Sequence, residues 1–172
     1  TGEMKRMEIT PHPWRANSYG RFQRLAELLN EKRSALTAAD VPLILSDCLD
    51  PFEQRKRVAG SILAGTNNVQ SIVMSPDDDA LWLANGDYPV CHSEHFHGFR
   101  VSALLDADEA RYDLDDLPCP PQLNQSERAA LAEYEQAWSA QFDQLDNSRA
   151  VFHLRRAAEL LPGEVIFPRL AG

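Results

Sequence analysis

The segment from Cys91 to His97 concentrates the side chains that could bind a metal ion. It holds three histidines, one cysteine and one glutamate. On a strand, His95 and His97 would point to one face, because side chains alternate along a strand, and imidazole is a common zinc ligand. A third ligand could come from His92 or from a neighbouring cysteine or glutamate, although the spacing matches no standard zinc signature. Two interpretations stay open: a zinc site at these histidines, or an exposed loop that enters an edge strand.

A second candidate site is the polar triplet Thr66, Asn67 and Asn68, which precedes an apolar strand pattern. Side-chain and backbone amides at this position could donate hydrogen bonds to a substrate carbonyl or to an oxyanion. A polar entry into a strand is the structural alternative. We therefore treat Asn67 and Asn68 as candidate substrate-pocket residues.

A cysteine nucleophile with a histidine base is the third possibility. Cys48 or Cys91 would have to lie within hydrogen-bond reach of His12 or His92, and no spacing in the sequence establishes that distance. Buried structural cysteines are the alternative.

Composition and charge restrict the class of protein. The 172 residues include 17 Lys+Arg and 26 Asp+Glu, which give a net charge of −9. Nucleic acids and anionic membranes need clustered positive charge, so the sequence predicts neither as a partner. The sequence shows no membrane-spanning apolar stretch and no signal peptide, and its three cysteines are an odd number at wide spacings. We expect reduced thiols, a cytoplasmic location and, apart from the possible zinc, no cofactor.

The elements that must position these residues indicate an α+β fold. Two amphipathic helices are predicted first, at 19–30 and, with Thr37 as the N-cap, at 37–46. Period-two patterns then predict an antiparallel meander whose second and third strands form a hairpin. The predicted strands are 61–64, 69–74, 80–84 and 96–105.

The last third of the chain differs in composition. Residues 106–121 are acidic and end in Pro118-Cys119-Pro120-Pro121, which indicates a solvated linker between an α+β region at 5–105 and a helical region at 122–172. The spacing of Ala150, Leu154, Ala157 and Pro162 resembles the second helix of a tetratricopeptide repeat, and a generic helical hairpin is the alternative. A single such unit cannot bury both its faces, so we expect it to pack on the first region, on a partner or on sequence beyond the residues given.

Residues 9–105 also carry motifs that resemble a known enzyme family. Ile9-Thr10-Pro11-His12-Pro13 resembles a "Thr-Asn-His-Pro" strand end, and Ser46-Asp47-Cys48 resembles "Ser-Asp-His". The helix with Asn17, Arg21 and Arg24, and the hairpin of 68–86, resemble the elements beside these motifs. The pattern is similar to the C-terminal half of the acyl-CoA:6-aminopenicillanate acyltransferase-like and linear amide C–N hydrolases, which are N-terminal-nucleophile (Ntn) hydrolases.

The resemblance implies a partial αββα sandwich and an acyl-amide or acyl-thioester substrate. In the family mechanism a cysteine freed by self-cleavage attacks the acyl carbonyl, its own α-amine acts as the base, and an asparagine helps to hold the oxyanion. The resemblance adds His12 to the candidate substrate-pocket residues. It also places the nucleophile upstream of the residues given, and the oxyanion asparagine aligns with Pro11, which lacks a donor.

Three functional hypotheses follow. The chain is the C-terminal part of an amide C–N hydrolase or acyltransferase whose nucleophile comes from a partner chain; or it is a catalytically degenerate homologue that acts as a protein-binding scaffold subunit; or it is a metal-dependent enzyme that uses the Cys91–His97 segment. No complete catalytic set is present in this sequence. Half a sandwich would expose an apolar sheet face, so we expect a protein partner or a second copy to cover Val69, Ile72, Met74, Leu81 or Leu83.

Overall fold

The computed structural model describes residues 13–66, 68–85, 90–92, 94–105 and 114–172. Within these residues the protein has six α-helices and antiparallel β-sheets, which is an α+β fold. The helices are α1 (Pro13–Glu31), α2 (Asp40–Leu45), α3 (Val101–Leu105), α4 (Gln125–Phe142), α5 (Asn147–Leu160) and α6 (Ile166–Leu170). The strands are β1 (Leu49–Asp50), β2 (Arg55–Lys56), β3 (Ile72–Ser75), β4 (Ala80–Asn85), β5 (His95–Arg100) and β6 (Leu114–Pro118). No helix among these residues is long and apolar enough to cross a membrane.

Both predicted helices form, but neither begins where the sequence predicts. Helix α1 begins at Pro13, ahead of the predicted start at Tyr19, because proline is favoured in the first turn of a helix, where its missing N–H has no partner to lose. Helix α2 begins at Asp40, three residues after the predicted N-cap Thr37, and its N-cap residue is Ala39. Thr37 donates from its backbone N and its hydroxyl to Asp40 Oδ2, at 2.9 and 2.8 Å, so it orders the turn before the helix. A hydrogen bond from the ammonium group of Lys32 is the main cause that lowers the pKa of Asp40 to about 2, and the hydrogen bonds from Thr37 lower it further.

Three of the four predicted strands form an antiparallel meander, β3 to β5, in which β3 begins at Ile72 and not at residue 69. Strand β6 completes a four-stranded sheet in the order β3-β4-β5-β6. The predicted hairpin joins β3 to β4 through a short 3-10 turn at Pro76–Asp78. Strand β5 ends at Arg100, and the residues after it form α3, so the prediction of one strand through residue 105 was wrong over its second half. The sheet face of Val73, Trp82 and Phe96 is buried against α2.

Residues 114–118, which the acidic composition placed in a linker, form the fourth strand. Leu117 lies opposite Phe96, and Leu114 lies opposite Gly98, so its two leucines reach the apolar side while its aspartates remain exposed. The indole N–H of Trp82 donates to the backbone oxygen of Asp115 at 3.0 Å. The remaining predicted linker residues 106–113 lie outside the described part of the chain.

The prediction of a strand at 61–64 was wrong. The segment is a series of bends, yet Ile62 and Ala64 are 0% exposed. They pack into a core with α4, α5 and the α6 residue Phe167. An apolar run can be buried by helices as well as by strands, and periodicity alone does not separate the two cases.

The C-terminal helices form as predicted and pack on the first region. Asn124 and Glu127 build a reciprocal capping box at the start of α4, and the Asp146 side chain caps α5 by accepting from Arg149 N at 2.9 Å. The predicted contact positions of α5 are buried, namely Ala150, Leu154 and Ala157. One face of the hairpin therefore packs within this chain, as expected for a lone helical unit. Its other apolar residues Trp138, Phe142 and Phe152 stay exposed, at 49%, 62% and 59%.

Three consecutive basic residues connect the two regions. Arg55 donates to the backbone oxygen of Gly163, and Lys56 pairs with Glu127 at 2.6 Å. Arg57 is buried and donates through Nε to Glu164 Oε1 at 3.0 Å. Glu164 is only 2% exposed, so this ion pair lies inside the protein and fixes the segment before Val58 to the C-terminal helices.

Candidate functional site

A polar stripe on α1 organises the loop that carries the candidate site. Asn17, Arg21 and Arg24 are spaced by four and three residues, which places them on one face of the helix. Asn17 Nδ2 donates to the backbone oxygen of Gly60 at 3.0 Å, and Arg21 donates to Asn68 Oδ1 at 3.2 Å. The helix thus holds both ends of the segment 60–68.

The strongest contact of this stripe is the pair between Arg24 and Asp47. Arg24 donates to both carboxylate oxygens, from Nε at 3.0 Å and from a terminal nitrogen at 2.8 Å. The two side chains are 14% and 17% exposed, and a bidentate geometry of this kind fixes orientation as well as charge. Hydrogen bonding to Asp47 is the main cause that raises the pKa of Arg24.

Asp47 in turn anchors the loop backbone. Its Oδ1 accepts from Leu49 N at 3.1 Å, and its backbone oxygen accepts from Ala64 N at 3.1 Å. The motif residues around 17–24 and 46–48 are therefore brought together, and in this structure they shape the loop that leads to Asn68.

Asn68 uses both ends of its side-chain amide within the protein. Its oxygen accepts from Arg21, and its nitrogen donates to the backbone oxygen of Leu63 at 3.0 Å. The amide is half-buried and oriented, and one N–H remains that this bond does not use. The other two candidate pocket residues, His12 and Asn67, lie outside the described residues.

The three histidines of the proposed metal site are not brought together with further ligands. His95 and His97 lie on the same face of β5, as predicted, and His97 pairs with Asp116 at 2.9 Å. His92 lies on a separate turn, and in the described part of the chain no group of three or more histidine, cysteine or acidic side chains could hold a metal ion. The zinc site stays a prediction from sequence.

His92 is half-buried, and both of its ring nitrogens are shielded from water. Neither ring nitrogen has a hydrogen-bond partner among the described residues. Burial, assisted by the positive charge of Lys56, lowers the pKa of His92 to about 4. The imidazole is therefore unprotonated at neutral pH.

Two of the three cysteines, Cys48 and Cys119, carry buried thiols. The Sγ of Cys119 lies 3.4 Å from the hydroxyl of Ser46, and burial raises the pKa of this thiol. A thiol with a raised pKa is a poor nucleophile. These two cysteines are structural core residues.

A cavity of about 540 Å³ lies where the loop meets α4. Its lining includes Thr66 from the loop and Tyr134, Glu135, Trp138 and Phe142 from α4. One oxygen of Glu135 is shielded from water and has no hydrogen-bond partner among the described residues, and burial raises the pKa of Glu135 to about 7. A carboxyl group poised near neutrality in an apolar cavity can act as a proton donor or acceptor, or can bind a cation.

The cavity was missed from the sequence. Glu135, Trp138 and Phe142 lie one, four and eight residues after Tyr134, a spacing that indicates only that they share one side of a helix. Nothing in the sequence shows that Thr66 lies beside them. A glutamate between Tyr134 and a second aromatic one turn later, at Trp138, was the one available signal.

Comparisons with known proteins leave the site to be judged on its own geometry. No protein-family model matches the chain, and neither a curated protein nor a solved structure matches it.

Proposed function

We propose that this chain is the C-terminal part of an amide C–N hydrolase or acyltransferase whose nucleophile is supplied by a partner chain. The observation that carries the proposal is the one-sided burial of the four-stranded sheet. One face packs on α2, whereas the other presents two cross-strand rows that are mainly apolar. The rows are Ile72–Leu83–His97 and Met74–Leu81–Phe99.

The exposure of this second face is large at its edge. Ile72 is 41% exposed and Met74 is 67% exposed. Val69, which lies before the strand, is 79% exposed. Leu81 and Leu83 on the next strand are half-buried. An antiparallel sheet normally places polar side chains on a face that meets water, so apolar rows here favour a second layer packed on them.

We infer the type of layer from the motif resemblance. Two sheets pack face to face at about 10 Å through interdigitated apolar side chains. In an αββα sandwich, the fold that the motif resemblance implies, each sheet has helices on one face and the second sheet on its other face. We therefore propose that the partner contributes the second sheet together with the nucleophile.

Two further features support a nucleophile outside this chain. Cys48 and Cys119 are buried core thiols, as described above. The oriented Asn68 lies at the end of a loop that α1 holds rigidly, which suits a residue that positions a substrate carbonyl. Under this proposal the helical hairpin is a repeat-like appendage whose small residues, such as Ala137 and Ala157, allow close helix contact.

The test is to isolate the chain with its bound partner from its native cells and to assay the complex against a chromogenic acyl anilide. We expect a partner with an N-terminal cysteine, hydrolysis by the complex and labelling of that cysteine by an electrophilic acyl probe. Met74→Glu should abolish both association and hydrolysis, because it places a charge in the sheet interface. The matched control is Phe152→Glu, since Phe152 is a similarly exposed apolar residue, at 59%, on α5.

Two results would contradict the proposal. A chain that stays monomeric in its native cells, or a complex that forms through this face but labels no cysteine and cleaves no acyl amide, would remove the enzymatic function. The second result would instead support the scaffold subunit, because the same face would then bind a protein without any chemistry.

A further inference from the structure

The cavity beside Glu135 has the composition of a site for an organic cation. Its acidic lining residues are Glu135 and Asp143, and among the described lining residues there is no lysine, arginine or histidine. The chain as a whole has a net charge of −9. A negatively charged ligand would find no partner charge here, whereas a positively charged ligand would find two.

Aromatic rings form much of the remaining wall. Trp138 and Phe142 stack with ring centroids 4.7 Å apart, and Tyr134 meets Trp138 edge to face at 6.1 Å. Trp138 is 49% exposed and Phe142 is 62% exposed, so ring surface is available to a ligand. The aromatic group of a ligand can pack against such rings in a stacked or edge-to-face arrangement.

The carboxylate of Glu135 is incompletely satisfied without a ligand. One of its oxygens is shielded from water and accepts no hydrogen bond from any described residue. An unsatisfied buried acceptor costs free energy that a bound donor restores, and a charged donor restores more than a neutral one. Ser139 and Thr66 add hydroxyl groups to the same lining.

We propose that this cavity binds an arylalkyl ammonium ion, with the ammonium group on Glu135 and the aromatic group against Trp138 and Phe142. The volume of about 540 Å³ lies in the range of small-molecule sites. As an assignment of substrate class the inference rests on the proposed function, in which this ion is the amine half of the amide that is cleaved. Thr66 supports that connection, because it lines the cavity and lies two residues before Asn68.

The experiment is titration calorimetry on the full chain alone, with three ligands of the same size. 2-Phenylethylammonium, 2-phenylethanol and phenylacetate each carry a phenyl ring on a short arm, and they are positive, neutral and negative at pH ~8, where Glu135 is ionised. We expect binding of the ammonium ion, at least about tenfold weaker binding of the alcohol, and no binding of the carboxylate.

Two variants distinguish the contribution of the Glu135 carboxylate to binding from that of the rest of the cavity. Glu135→Gln keeps the shape of the side chain and should weaken binding of the ammonium ion by about tenfold or more. Glu133→Gln is the matched control: it removes a charge from the same helix, but Glu133 pairs with His153 and does not line the cavity. It should bind the ammonium ion as the unmodified chain does, and far-ultraviolet circular dichroism should show that both variants are folded.

Each other outcome overturns the proposal. Equal binding of the ammonium ion and the alcohol would make the cavity a plain apolar pocket, and unchanged binding by Glu135→Gln would place the cation elsewhere. No heat with any of the three ligands would exclude the class. The chain is tested without a partner and without turnover, so failure here leaves the hydrolase proposal standing, and failure of the hydrolysis assay leaves a cation site standing.

Discussion

The protein buries its apolar side chains in two different ways. In the helical core, α4, α5 and α6 surround Ile62 and Phe167, both of which are 0% exposed. In the sheet, Val73 and Phe96 on one face are similarly buried, whereas Ile72 and Met74 on the other face are largely exposed. The helical core is closed within this chain, and the sheet is closed on one side.

We interpret the helical core as the source of the protein's own stability, and the open sheet face as a surface for binding a partner. The helical appendage looked incomplete from the sequence, since a lone repeat cannot bury its own faces, and the first region covers one of these faces. The basic residues at 55–57 fix it there. The exposed rings of Trp138 and Phe142 line the cavity beside Glu135, whereas the sheet offers an apolar face on adjacent strands, so we expect the partner on the sheet.

The largest expected effect is on the buried ion pair that closes the helical core. Arg57→Met leaves Glu164 and Asp50 as carboxylates without their guanidinium partner, and both are 2% exposed. Breaking a buried pair from one side costs about 3–5 kcal/mol of unfolding free energy. Urea unfolding, followed by tryptophan fluorescence, measures the loss.

The control for that variant is an exposed pair. Arg156→Met removes the partner of Glu159, where both side chains are about half exposed or more, at 49% and 65%, and it should cost less than about 1 kcal/mol. Arg57→Met with Glu164→Leu should recover much of the loss, because neither of these two charges remains buried. Equal costs for the two arginine variants would show that the core does not depend on the pair.

The second effect compares the same substitution in the two regions. Ile62→Ala leaves a cavity in the closed core and should cost about 2–5 kcal/mol of unfolding free energy. Ile72→Ala, at a position that is 41% exposed on the open sheet face, should cost less than about 1 kcal/mol in the isolated chain. Similar losses for the two variants would mean that the sheet face is already covered, for example by a second copy of the chain.

The sequence predicts the elements that carry a local signal. The hairpin of β3 and β4 follows from two apolar patterns around Pro76. The buried positions of α5 follow from helical spacing. In each case residues close in sequence establish the structure.

The sequence does not reveal contacts whose two halves lie far apart. Arg57 and Glu164 are separated by 107 positions, and each alone looks like a solvated charge. Strand β6 was masked by its aspartates, because only the pairing of Leu114 and Leu117 with β5 makes the segment a strand. The cavity at Glu135 needs Thr66, which joins α4 only through the packing of the bends at 61–64.

The smallest expected effect is a pH-dependent change in the free energy of unfolding at Glu135. Glu164 is paired with Arg57, whereas one oxygen of Glu135 has no hydrogen-bond partner among the described residues. Burial raises the pKa of Glu135 from 4.5 to about 7. Between these values the folded chain holds a proton at Glu135 that the unfolded chain has released, so its contribution to stability falls as pH rises. At pH ~8 the carboxylate is charged and poorly solvated in the cavity, which destabilises the folded chain. At pH ~4 Glu135 is mostly protonated in both the folded and the unfolded chain.

Glu135→Gln removes this titration and keeps the size of the side chain. We expect it to raise the unfolding free energy at pH ~8 by about 1 kcal/mol, a value reduced for solvent screening at a partly open cavity, and to change little at pH ~4. Glu133→Gln should not reproduce the pattern, because Glu133 has His153 as its partner at 2.7 Å. A gain at pH ~8 that 2-phenylethylammonium also produces in the unmodified chain would tie the strain of Glu135 to the cation site, since ligand and substitution would then relieve the same unpaired charge.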